Sequence, residues 1–159
     1  MADLLDLTAH LPVVEYGAGD TVFDQGGDSG ALWVLVSGSL GVWSGDVAVG
    51  SIDRPGALVG EVSLLLDIPH WVTVRATAPS RVRVAADGRV LLDSAPEVMT
   101  LVAVGLALRL TSVTTYLADL EHQYGDAPGL SMVNDVLRQL THDQPRARTG
   151  SARDPEPDY

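Results

Sequence analysis

Residues 60 to 71, GEVSLLLDIPHW, hold the side chains best suited to chemistry in this chain. Gly60 is followed at once by Glu61, and a short apolar stretch with helical spacing comes next. A helix that starts there turns unpaired N–H groups and the positive end of its dipole outward, which suits an anion. Gly60 lets backbone and ligand approach closely. Glu61 is a candidate acceptor for a hydroxyl, and Ser63 adds a hydroxyl or its amide, with Val62 between them. Ten positions after Gly60 comes His70, beside Trp71. A neutral imidazole brings one N–H and no charge at pH 7.

Each of these residues also has a plainer reading. Glu61 suits a helix start electrostatically whether or not anything binds. His70 reads as a tolerated surface substitution before it reads as a pH sensor. Trp71 reads as core or lip packing before a stacking platform. Trp33 and Trp43 sit in strand patterns and read as core. Thr111, Ser112, Thr114 and Thr115 read as a solvated helix face. His122 and His142 lack a partner at metal-ligand spacing.

The elements that must position residues 60–71 come in two blocks. Residues 3 to 10 read as a short amphipathic helix. From about 12 to 90, short apolar runs (VVEY, ALWVLV, SLGVW, VAVGSI, VTVRAT, RVRVAA) alternate with Gly, Asp, Ser and Pro turns, the pattern of a β-sandwich or barrel. From Asp87 the period becomes helical. A short helix is expected over 88–95. A longer one begins near Pro96, where a missing N–H does no harm, and runs to about 122–124. Its apolar positions form a broad stripe. Gly125 stops it and Pro128-Gly129 marks a break. A third helix is expected over 130–141, with Ser131 as its cap. The tail 145–159, rich in Pro, Arg, Asp and Gly, reads as disordered.

Composition narrows the function. The chain has 159 residues, 46% of them hydrophobic, which suits one folded domain. It has no cysteine, so disulfides and thiolate metal sites are excluded. The formal net charge of -11 opposes binding to nucleic acid or anionic lipid. Without an unbroken run of about 18 apolar residues, no transmembrane helix is expected. The N-terminus lacks a basic n-region, so no secretory signal is read, and a cytoplasmic location is expected. The Gly-x-Ser-x-Gly elbow, the phosphate-binding Gly-Lys-Ser/Thr loop and metal-type His/Glu spacing are all missing, so no enzyme is expected.

The ordered motifs resemble the cyclic-nucleotide-binding domain family. EYGAGDTVFDQGGDSGALWVLVSGSLGVW (15–43) resembles the first half of such domains. IDRPGALVGEVSLL resembles the turn that enters their phosphate-binding cassette, and 60–77 resembles the cassette itself. The likeness covers about residues 10–122. It implies a mainly β fold with flanking helices: a β-roll, a jelly-roll-like barrel (double-stranded β-helix), followed by a long C-terminal α-helix. It implies binding of cAMP or cGMP through Gly60, Glu61, Val62, Ser63, His70 and Trp71. Glu61 would accept from a ribose 2′-hydroxyl, and Thr114 on the long helix would lie near the base. The departure is His70, where the family places an arginine for the cyclic phosphate. Losing that charge-assisted bond costs about 2–5 kcal/mol. Arg75, on the following strand, points to the other face and does not replace it.

The reading is therefore a stand-alone domain over 1–124, a short helical extension over 125–144 and a tail. DNA-binding members of the superfamily continue into a winged helix-turn-helix. About 35 residues follow the long helix here, so direct nucleic-acid binding is not expected. The first hypothesis is a non-catalytic sensor of a cyclic nucleotide or related anion, without a cofactor, that signals through its C-terminal helix to a protein partner. The alternative is a degenerate adaptor that homodimerises through helix 97–122.

Overall fold

The computed structural model describes residues 2–125, 127 and 131–142. The expected break at Pro128-Gly129 and the expected tail lie outside them. The elements run α1 (Leu4–Leu7), β1 (Val13–Tyr16), β2 (Thr21–Phe23), β3 (Leu32–Ser37), β4 (Leu40–Ser44), β5 (Val47–Ile52), β6 (Leu58–Val59), α2 (Glu61–Leu66), β7 (Thr73–Ala76), β8 (Ser80–Ala85), α3 (Gly88–Ser94), α4 (Pro96–Tyr124) and α5 (Ser131–His142). They fall into two compact units, one ending at Leu106 and the other beginning at Ala107.

In the first unit the strands form two four-stranded antiparallel sheets, ordered β1-β8-β3-β6 and β2-β7-β4-β5. The architecture is an open β-sandwich with flanking helices and a long C-terminal helix. This is the mainly β fold with a long C-terminal helix that was expected; its strands pair within each sheet, so the jelly-roll-like barrel is not closed into a ring.

The near-continuous apolar run of β3 follows from burial on both faces. Trp33 and Leu35 point between the sheets and join Phe23, Leu40, Val74 and Val82. Leu32 and Val34 point to the other side and pack with Leu64, Leu91, Leu92, Val98 and Val102 from the helices. Strand β5 is an edge, and its residues are exposed up to Ile52.

Helix α1 is shorter than expected. Asp3 and Asp6 close a capping box at its start. The Arg83 guanidinium donates to the Leu5 carbonyl and the Thr8 hydroxyl, tying the end of this helix to β8. Asp87 caps α3 by accepting from the Val90 amide at 3.1 Å. Helix α4 begins at Pro96 and ends one residue before Gly125, as its punctuation dictates.

Helix α4 has 29 residues but buries only Val98 and Val102. Its second half leaves Leu108, Val113 and Tyr116 at 64%, 50% and 62% exposure. By length and composition it is also able to cross a membrane, one such helix among the described residues. The sequence reading, which looked for an unbroken apolar run, did not single this helix out. In the second unit, the Asn134 amide of α5 donates to Glu121 Oε1 of α4 at 2.7 Å.

Candidate functional site

Gly60 stands at the N-cap of α2 with φ +94°. A Cβ there would lie 2.9 Å from Trp33 Cζ3 and 3.0 Å from the Ala31 carbonyl oxygen. Glycine is thus required twice, by the left-handed turn and by the close approach of the indole. The helix has no side-chain N-cap, so the amides of Val62 and Ser63 have no partner within it. Glu61 and Ser63 are buried, Val62 half-buried. The helix closes at Asp67 with φ +56°, and the Ile68 amide donates to the Ser63 carbonyl at 3.1 Å.

His70 overturns the surface expectation. Its side chain is 3% exposed and packs into the core between the sheets. Its ring stacks on Phe23 with centroids 3.9 Å apart and planes 16° apart, and meets Trp33 at 5.7 Å and 53°. Phe23 and Trp33 touch each other at 4.8 Å. Neither Nδ1 nor Nε2 of His70 has a hydrogen-bond partner. Burial lowers its pKa from the ordinary histidine value. The ring is therefore neutral at pH 7 and brings no cation to the start of α2.

The backbone explains this orientation. The His70 amide donates to the Gly27 carbonyl at 2.9 Å, and its own carbonyl accepts from the Gly26 amide at 2.7 Å. The Ser29 hydroxyl donates to the Ile68 carbonyl at 2.7 Å. These bonds fix the turn with His70 inward and its neighbour outward. Trp71 is accordingly 53% exposed, which rules out the core half of the core-or-lip expectation for that residue. Trp33 is core, as expected. Trp43 is only half-buried, lies against Gly41, and has the Arg75 guanidinium 5.7 Å from its ring. Arg75 is exposed on β7, opposite Gly41 and Thr21.

Gly60 and His70 thus both meet Trp33, while Trp71 turns to solvent. Thr114 lies in the second unit, half-buried on α4. Sequence reasoning missed Phe23 and the Gly26–Gly27 loop as parts of this arrangement. The glycine pair was visible as a turn, but nothing local shows which distant segment a turn will bond.

Residues 13–91 match the family model described as the cyclic nucleotide-binding domain. No curated protein sequence matches the chain. Among solved structures, the chain is similar to the catabolite activator protein of Thermus thermophilus, with a TM-score of 0.61 and 24% identity. That match covers 72% of this chain, which spans only 57% of the Thermus protein. A second similar structure comes from a cyclic-GMP-dependent signalling pathway that regulates bacterial phytopathogenesis. Its TM-score is 0.59 and its identity 24%, over 70% of this chain and 94% of that one. A third, a PKAR CBD2 domain with Sp-2Cl-cAMPS bound, gives 0.52 and 17%, over 69% and 74%. At these identities the structural likeness is one of fold.

Proposed function

Because the chain carries a domain of the cyclic nucleotide-binding family over residues 13–91, we propose that it is a regulatory module that binds cAMP or cGMP, or a related anion, weakly at residues 60–71. Domains of this family are typically regulatory and non-catalytic. The observation that carries the reading is the start of α2, where left-handed Gly60 leaves the first-turn amides without a side-chain cap, beside the buried Glu61 and Ser63. Those groups suit a phosphate and a sugar hydroxyl.

Weak binding follows from His70, which is neutral and turned into the core. Affinity then rests on backbone amides and Glu61. In this reading Trp71 offers a ring at the rim, and ligand shifts α4 between two positions that a protein partner reads. The domain needs no cofactor, and it makes no direct contact with nucleic acid.

The test is thermal unfolding with millimolar cAMP and cGMP. At ten times Kd a ligand stabilises by about 1.4 kcal/mol, an upward shift of a few degrees. His70→Arg, whose hydrated guanidinium is poorly suited to the buried place against Phe23 and Trp33, is expected to shift further. No shift in either protein would sink the sensor reading.

A second reading is favoured by α4, which leaves Val104, Leu108, Leu110, Val113 and Tyr116 exposed. An apolar surface of this kind suits pairing with a second copy, as in an adaptor that dimerises through helix 97–122. Sedimentation equilibrium is expected to show a dimer that a Leu108→Asp, Val113→Asp double variant converts to monomer. A monomeric wild type would remove this reading.

A further inference from the structure

We infer that His70 is a proton-operated latch, which holds the turn 67–71 against the loop 24–29 while neutral and releases it when protonated. The two segments meet through the His70–Gly27, Gly26–His70 and Ser29–Ile68 hydrogen bonds, all backbone or hydroxyl to backbone. The side chain that seats this strap is the imidazole, stacked on Phe23 and tilted against Trp33. Its two nitrogens, buried and without partners, make it the weak point of the arrangement. A neutral ring tolerates that environment poorly, and an imidazolium far worse, because both nitrogens then donate and neither finds an acceptor. Attraction of the cation to the faces of Phe23 and Trp33 offsets part of the cost. It does not replace the lost hydration of a group with 3% of its surface exposed.

Charges on the neighbouring elements favour release. Asp24 and Asp28 on the loop and Asp67 on the turn are all exposed. Glu61 heads α2, whose Gly60 packs on Trp33, and Arg75 lies outward over Trp43. Strands β2 and β3 carry no charged residue. None of these groups hydrogen-bonds to the ring, so nothing in the closed state compensates a proton there. Three carboxylates on the two joined segments favour the solvated cation.

The sign follows from linkage. Above about pH 6.5 the imidazole is neutral whether folded or unfolded, and the latch is fully stabilising. As pH falls below that, the unfolded chain takes up the proton first, and stability is lost toward the lowered folded value. If residues 60–71 are the ligand site proposed above, acid also places a cation ten positions after Gly60. Nucleotide then binds more tightly at pH 5.5 than at pH 7.5.

The experiment compares unfolding temperatures of the wild-type chain and His70→Phe at pH 7.5 and 5.5, without nucleotide. Phenylalanine keeps the stack and cannot titrate. The wild type is expected to lose about 3–5 °C more than the variant on acidification. An equal loss in both proteins overturns the latch. Should the variant not fold, ring proton resonances of the wild type decide. His70 titrating below 6.5 supports the latch, and titration at or above 6.5 overturns it. Repeating the scans with millimolar cAMP separates the two ideas. A latch that works without any nucleotide response at either pH overturns the ligand reading and leaves the latch standing.

Discussion

Gly60→Ala is expected to destabilise the domain by about 2–4 kcal/mol. Two costs add. The residue sits at φ +94°, where an L side chain is strained even in open space. The new methyl would also lie 2.9 Å from Trp33 Cζ3 and 3.0 Å from the Ala31 oxygen. One neighbour is a buried ring and the other is backbone, so neither yields like the tip of a flexible chain. Gly50→Ala is the control. Gly50 lies on edge strand β5 with nothing within 4 Å of an added Cβ. That change is expected to stay within about 0.5 kcal/mol of the wild type. Urea unfolding with the slope monitored checks both. If Gly60→Ala were as stable as the wild type, the start of α2 would have to relax away from Trp33. The coupling of the candidate site to the aromatic cluster would then be lost.

How much of this was legible in the sequence depended on range. The ends of α4 were readable because Pro96 and Gly125 act through their own backbone chemistry. Most strands were readable from alternation and from the turns between them. Strand β6 was not, because two residues, Leu58 and Val59, are too few to show a period. The start of α2 was legible, since a glycine followed by an acid and an apolar run is a local signal. His70 was not. In the sequence it stands between Pro69 and a tryptophan, and size alone argues that the tryptophan turns inward. The outcome was decided by Gly26 and Gly27, which bond both sides of the His70 backbone, and by the face of Phe23, on which a flat five-membered ring stacks at 3.9 Å. Those partners come from strands far away in the chain. The broad apolar stripe of α4 suits burial against its own sandwich as well as against another chain. Burial of Val98 and Val102, with Met99 and Leu106 partly packed, answers this for the first turns only.

Trp33→Ala carries the largest expected loss, about 3–5 kcal/mol, against about 1–2 kcal/mol for Trp43→Ala. Both indoles lie in strands, and composition gives no reason to rank them. Their surroundings do. Trp33 is 8% exposed, contacts Phe23 at 4.8 Å and His70 at 5.7 Å, and packs on Gly60. Removing it opens a void that three constrained neighbours cannot close. Gly60 is held in a left-handed turn, His70 by its bonds to Gly26 and Gly27, and Phe23 by an irregular strand register. Trp43 is half-buried, and its loss leaves a depression open to water with Arg75 nearby. The cost there is a surface contact and a cation–π attraction at 5.7 Å. Denaturant unfolding of the two variants gives the ranking directly. Equal losses would mean that the aromatic cluster supports residues 60–70 no more than any other part of the sandwich, and that the turn is held by its backbone bonds alone. A selective loss at Trp33 would make one indole the common support of α2 and of the latch, so that a signal raised at either would be felt by the other.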